Sequence, residues 1–315
     1  MSHLASDILR QANDHLGSLD LTADGSASVL QWPPCFIAAP PRGGSTLLQQ
    51  VLISSFRLGY VSNLMARFWN APVVGAALQA QLAPEIFTSS FSSRFGNTEG
   101  VFEPHEWGWF WRKWLSLDGP EHHVTRAVDW SSLKRTLGIM ERTLQAPLLF
   151  DSPLAGSNLT EISAGLGPIL VLNLTRSPWH ICNSLLNARI ERYGDLDIYY
   201  GAHVRDQAAL DKVSNPIEQI VLQARTLIDE QAMQVSQFSP EQVLDLKYED
   251  LRARPMETVE AIRVFYKRHG IQLEKTGDLI PPFPDRNKNA HMNLKFSEEL
   301  SSFVEGIFGA DALPS

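Results

Sequence analysis

Four short apolar runs punctuate the chain: "CFIAAP" at 35–40, "APLLFD" at 146–151, "PILVLNL" at 168–174 and "QVLDLKY" at 242–248. Unbroken apolar character over so few residues is the pattern of a strand buried on both faces of a parallel sheet. After these runs, Leu, Ile and Val recur at three- and four-residue steps, which predicts helices at 45–57, 131–145, 155–165, 177–192, 215–237 and 255–269. A 3.6-residue period lays one apolar stripe against a sheet. Strands alternating with such helices predict an α/β fold, a central parallel sheet flanked by helices. Residues 59–128 break the rhythm: they are rich in Trp and Phe and predict a helical insertion, with helices near 64–83 and 104–116. Residues 1–32 read as an N-terminal helical extension, and the whole of 1–315 as a single domain.

With 315 residues, 44% of them hydrophobic, the chain has ample material for one continuous core. A net charge of -8 argues against a general nucleic-acid binder, which needs a basic face, so any bound anion must be held by a local site. Cys35 and Cys182 both lie in apolar runs and read as buried thiols of a reducing compartment. The N-terminus lacks the apolar block of a signal peptide, and no run is long and apolar enough to span a bilayer. A cytoplasmic protein is expected.

The first apolar run leads into "PPRGGSTLL". In parallel sheets the first strand-to-helix turn is the usual anion site, because free backbone N–H groups and the helix dipole point there. Gly43 and Gly44 let the backbone close on an anion, Ser45 and Thr46 add hydroxyl donors, and Arg42 brings a fixed charge with a planar donor fork. Taken alone, the segment also fits an ordinary turn with a Ser N-cap. It is not a Walker A loop: Ala39 stands at the first glycine and Ser45 at the lysine. No acidic residue is evidently placed for Mg²⁺, and no metal is expected.

After the third run, "TRSPWHICNSLL" sets Arg176 at a strand end and Ser184 eight residues later on a helix. Eight residues slightly exceed two turns, so the two meet at one end of the sheet only if the intervening turn folds back. Together they would bind a second phosphate. Separately, Arg176 caps a neighbouring helix and Ser184 is a solvated hydroxyl.

The two motifs together resemble the sulfotransferase family that uses 3′-phosphoadenosine 5′-phosphosulfate (PAPS). "PPRGGSTLL" is similar to its 5′-phosphosulfate loop, with Gly43 in the usual Ser place, and "LTRSPWHICNSLL" to its 3′-phosphate motif. "LKYEDLRARPMETVEAIRVFY" resembles its Tyr-Glu-Asp-Leu segment, and order and spacing fit across roughly residues 33–270. The resemblance implies a P-loop-like fold, with Arg42, Gly43, Gly44, Ser45 and Thr46 on the phosphosulfate and Arg176 and Ser184 on the 3′-phosphate. It also implies that Tyr248 packs while Glu249 or Asp250 pairs with an arginine. Residues 271–315 would form a cofactor-covering segment and helix, in which Arg286 and Lys288 are candidate phosphate contacts. One departure stands out. Many members carry Lys two residues before a Pro in the segment matching "LLFDSPL", where this chain has Asp151. A carboxylate there repels a sulfuryl group unless it pairs with Arg42, or else it binds a cationic or hydroxylated acceptor.

Sulfuryl transfer is an in-line displacement that needs a base and charge or N–H donors, but no metal. "GVFEPHEWGWFWRKWL" at 100–115 offers His105, Glu103 and Glu106 beside an aromatic run. His105 is the leading base, for its near-neutral pKa, with Glu103 or Glu106 orienting it or serving instead. The same stretch also fits an amphipathic helix begun by Pro104, its aromatics in the core and its carboxylates in the first turn. As an acceptor lid, 59–128 favours a ligand with apolar or ring surfaces. His122 and His123 lack further ligands at metal spacing and read as a solvated loop. Arg67, Arg112 and Lys113 line a channel or coat the surface.

The expectation is a PAPS-dependent sulfotransferase acting on a hydroxyl or amine of a small-molecule, lipid or carbohydrate acceptor and releasing PAP. Its rivals are a P-loop nucleotide kinase and a non-catalytic PAP-binding protein. Oligomeric state is not written in the sequence.

Overall fold

The structure is a computed structural model that describes residues 3–20, 29–117, 122–201, 203–277, 280–284 and 294–314. All four apolar runs form strands: β1 (Cys35–Ala38), β2 (Leu149–Asp151), β3 (Leu170–Thr175) and β4 (Val243–Lys247). They make one parallel sheet in the order β2-β1-β3-β4. β1 ends two residues before Pro40 and β2 begins two residues after Pro147, prolines that lack the N–H a ladder needs.

Thirteen helices surround the sheet among the described residues. They are α1 (His3–Asp20), α2 (Ser45–Ser55), α3 (Pro72–Leu82), α4 (Gly108–Trp114), α5 (Trp130–Leu144), α6 (Pro153–Gly156), α7 (Leu159–Leu166), α8 (Pro178–Tyr193), α9 (Gln207–Leu210), α10 (Pro216–Val235), α11 (Tyr248–Ala253), α12 (Pro255–Arg268) and α13 (Leu294–Phe308). Pleating sends alternate residues to opposite faces. Phe36 and Ala38 join a core with Trp111 of α4, Leu133 and Leu137 of α5 and Ile162 of α7. Cys35 and Ile37 face Leu48 and Leu52 of α2 and Ile262 and Tyr266 of α12. A third cluster joins α8, α10 and α13 through Leu185, Val221 and Leu300.

Three predicted helices differ from the structure. The 64–83 helix is a 3-10 turn at Met65–Arg67 followed by a separate α3, which Pro72 opens at its first position. The 155–165 helix is split into α6 and α7 at buried Asn158, whose amide donates to Leu154 O and His122 O while its Oδ1 accepts from Val124 N. The side chain thereby ties the 122–124 segment to the α6–α7 junction. The 104–116 helix begins only at Gly108. His105 N donates to Val61 O and Asn63 N to Glu103 O, both at 2.9 Å, holding 103–105 extended against 61–63. Trp107 then turns at φ 53° before α4 starts.

Most of the aromatic run at 107–111 is core. Trp107, Phe110 and Trp111 are fully buried, with Trp107 and Phe110 stacked at 3.9 Å and Trp111 edge-on to Phe36 and Phe150. Trp109 alone of them stands out, 73% exposed. The N-terminal extension is held by Asn13 of α1, which donates to Arg67 O and accepts from Asn70 N. At the other end, α13 lies against α8 and α10, where Ser301 Oγ accepts from Trp179 Nε1. Among the described residues no helix is long and apolar enough to cross a membrane.

Candidate active site

The chain leaves β1 toward β2 on one side and β3 toward β4 on the other, so a crevice opens between the C-terminal ends of β1 and β3. The loop from β1 into α2 fills it. Gly43 N donates to Pro40 O at 2.8 Å, closing a tight turn in which Arg42 takes φ 70° and Gly44 φ 99°. A Cβ at Gly43 would come 2.8 Å from Pro40 O, and one at Gly44 would run into the Tyr248 ring. Both glycines are therefore required by close approach. The first-turn amides of α2 have no intrahelical acceptor by construction, and no side chain caps them among the described residues. They are left facing the crevice. Gly44→Ala should cost on the order of 2 kcal/mol or more through positive φ and the displaced Tyr248 ring. Urea denaturation of the variant measures this directly.

The segments predicted to hold anions meet here. Arg42 Nε donates to Ser184 Oγ at 2.9 Å, and Arg176 Nη1 donates to Arg42 O at 2.7 Å. Arg176 and Ser184 line the same cavity. Helix α8 starts two residues after Arg176, and the Arg42 side chain spans the gap to Ser184. The guanidinium of Arg176 lies 4.4 Å over the Tyr248 ring, a cation–π contact that fixes its plane. Glu249 accepts from Ser177 N at 3.2 Å, and Asp250 pairs with Arg254 at 2.6 Å. The Tyr-Glu-Asp-Leu segment thus clamps the other two.

Arg42, Gly44, Ser45, Thr46, Arg176, Ser184 and Tyr248 line a cavity of about 910 Å³, and Gly43 lies outside its lining. Asp151, at the end of β2, reaches it 5% exposed, and Glu106 enters from the segment before α4. Burial pushes the Asp151 carboxyl up to about 7 against a hydrogen bond with Ser45 that lowers it. Burial and then the charge of Asp151 push Glu106 up to about 8, with Arg42 pulling the other way. Two carboxyls sharing a dry site cannot both ionise readily, so the pair holds a proton near neutrality.

His105 also lines the cavity. Its Nδ1 accepts from Trp107 N at 2.8 Å, which assigns the proton of the neutral ring to Nε2. Burial and then Arg67 hold its pKa below the usual value. Glu103 is elsewhere: 4% exposed, it accepts from Gln50 Nε2, Ser89 Oγ and Ser90 N, anchoring the 89–90 segment outside the cavity lining. Arg112 and His122 line the outer cavity beside Trp109. Lys113 lies over the Trp114 ring, and His123 pairs with Glu230 at 3.6 Å. Arg286 and Lys288 lie outside the described residues, but the preceding Phe283 and Pro284 line the cavity, and Phe283 N donates to Arg252 O. Among the described residues no group of three or more His, Cys, Asp or Glu is placed to hold a metal ion.

One contributor is not singled out by the sequence reading. Arg94 and Asn97 exchange backbone hydrogen bonds across a tight turn in which Phe95 takes φ 54° and Gly96 φ 80°. The Phe95 ring is thereby set 5.5 Å from the Arg42 guanidinium and 5.6 Å from that of Arg94. The signal was present as "RFGN", a Gly-Asn turn between polar neighbours.

The chain matches the Sulfotransferase family over residues 33–269. No curated protein sequence matches it. Among solved structures it resembles the sulfotransferase STF1 from Mycobacterium tuberculosis with a TM-score of 0.54 at 15% identity, covering 92% of this chain and 81% of that one. It also resembles STF9 from Mycobacterium avium with a TM-score of 0.50 at 11% identity, covering 85% of this chain and 68% of that one. At these identities the two structures speak for the fold alone.

Proposed function

Since the chain belongs to the sulfotransferase family, we propose that it moves a sulfuryl group from PAPS to a hydroxyl or amine of a small-molecule, lipid or carbohydrate acceptor. The observation that carries this is the 2.9 Å bond from Arg42 Nε to Ser184 Oγ, which joins two anion cradles at the rim of one cavity. PAPS carries two anionic ends that such a pair would take. The donor set is of the right chemistry: N–H groups, hydroxyls and guanidinium forks, on a loop whose two glycines allow close packing against Pro40 O and the Tyr248 ring. A cavity of about 910 Å³ is at the upper limit for one drug-sized ligand, which supports room for donor and acceptor together.

The bound donor supplies an activated sulfur whose bond to the phosphate oxygen breaks as the acceptor attacks in line. Arg42, Ser45, Thr46 and the first-turn amides of α2 hold the phosphosulfate end, and Arg176 with Ser184 holds the 3′-phosphate. Glu106 takes the acceptor's proton. His105 was the leading base on sequence grounds, but with Nδ1 already accepting from Trp107 N it presents an N–H and serves as a donor orienting the acceptor. Trp109, Arg112 and His122 flank the acceptor's entrance.

Calorimetric titration with PAP and ATP side by side tests the donor, because the 3′-phosphate separates them. PAP should bind at least about tenfold more tightly, and Arg176→Ala should weaken PAP by roughly 10- to 100-fold, the scale of a charge-assisted contact. Adenosine 5′-phosphosulfate should be little affected by that substitution. Tighter binding of ATP would favour the nucleotide kinase. PAP binding without any transfer from PAPS to a panel of acceptors would favour a binding protein.

A further inference from the structure

Neither the fold nor the proton transfer assigned to Glu106 accounts for the Asp151 carboxyl. It is nine-tenths buried at the end of β2, and its Oδ2 has no hydrogen-bond partner. The Ser45 hydroxyl that reaches it belongs to the anion cradle, so the carboxyl is held against the wall that the phosphosulfate would occupy. The groups around it are few. The segment before α4 brings Glu106, the loop after β1 brings Arg42 beside that glutamate, and α2 brings Ser45. β1 sets Ile37 next to it in register, and α6 begins at Pro153, neither of them titratable.

An ionised Asp151 would thus stand in a dry site against a second carboxyl and, with donor bound, against a phosphate. Arg42 eases the charge of Glu106, whereas only the Ser45 hydrogen bond eases that of Asp151. Two like charges so close are mutually costly in a low dielectric, and the cheapest relief is a proton. We propose that Asp151 takes up one proton from solvent when the donor binds, and that the resulting neutral acid donates a hydrogen bond from Oδ2 to the anion in the α2 cradle. This rests on the PAPS assignment. No bond of the donor is broken in the step: one carboxylate and one solvent proton become one carboxylic acid, and the orphaned oxygen gains its partner. In the free protein burial already holds Asp151 near neutrality, so uptake is measurable above about pH 7.

The experiment is calorimetric titration of PAP into the full-length protein at pH 8, in two non-phosphate buffers of different ionisation enthalpy. Expected is uptake of about half to one proton per PAP, with affinity falling as pH rises from 7 to 9. Asp151→Asn keeps an N–H donor of the same shape, so it should abolish the uptake and flatten the pH dependence of affinity. Glu106→Gln should retain the uptake. PAP binding to the wild type without proton uptake overturns this proposal and leaves the donor assignment standing. Uptake lost in Glu106→Gln and kept in Asp151→Asn also overturns it, and absence of PAP binding overturns both.

Discussion

Glu106→Gln is expected to lower turnover by roughly 10²- to 10⁴-fold, the usual worth of a general base, while PAP affinity changes less than about threefold. The amide keeps the shape of the side chain and removes the atom proposed to take the acceptor's proton. The pH profile of the wild type at saturating donor carries the same information. With Glu106 pushed up to about 8, its basic form is scarce at pH 6 and grows with pH. Turnover should rise close to tenfold per pH unit from about 6 to 7 and level off above about 8. A His105 base would behave otherwise. Burial and Arg67 hold that ring below the ordinary imidazole value, so turnover would already be level at pH 7. A flat profile between pH 7 and 9, with full activity in Glu106→Gln, would return the base to His105.

The same pair leaves a mark on stability. Both carboxyls have folded pKa values above their unfolded ones, so the folded state binds their protons more tightly. That contribution is fully present below pH 4 and is lost as pH rises through 7 to 8. Glu106→Gln should accordingly melt higher than the wild type at pH 9 and level with it near pH 4.

What the sequence discloses follows from the range of the interactions involved. β1, β2 and most of β3 were legible because a strand covered on both faces is an apolar run, as "CFIA" is, while β4, at the sheet's edge, carries Asp245 and Lys247 and showed only through Val243, Leu244 and Leu246. The β1–α2 turn was legible because its demands are local: Gly44 answers to its own φ, and Ser45 and Thr46 to the helix they begin. Its bond to Ser184 was not. That contact depends on where α8 lies relative to β1, which no local spacing encodes.

The acceptor side was less legible, for a related reason. Glu103, His105 and Glu106 are neighbours in an irregular segment where no period assigns faces. Glu103 was drawn inward by Gln50, Ser89 and Ser90, and Glu106 was left toward Asp151. Only the tertiary partners separate them. The aromatic run left both readings open, since it is as good a core as a ligand wall, and Trp107, Phe110 and Trp111 went to the core over Phe36 and Phe150. β4 ends one residue before its apolar run does, because Tyr248 opens α11 and turns its ring to Gly44 and Arg176.

Replacing Arg42 should separate function from stability. At φ 70° this residue pays for a left-handed backbone that glycine adopts freely, a strain on the order of 1 kcal/mol. Arg42→Gly removes that strain, and its carbonyl still accepts from Arg176, since that bond uses only backbone. The variant loses the Nε bond to Ser184 and the charge facing the cradle. It should melt at or above the wild-type temperature and bind PAP roughly 10²- to 10³-fold more weakly. Arg42→Lys restores the charge but offers a flexible point donor instead of a planar fork, so PAP should remain about tenfold weaker than with the wild type, and more salt-sensitive. Thermal melts and calorimetry on the two variants check this together. If Arg42→Gly bound PAP as the wild type does, the cradle's charge would have to come from elsewhere. A more stable protein that has lost its donor means that the left-handed arginine is held for the ligand, since the fold itself is better served by glycine.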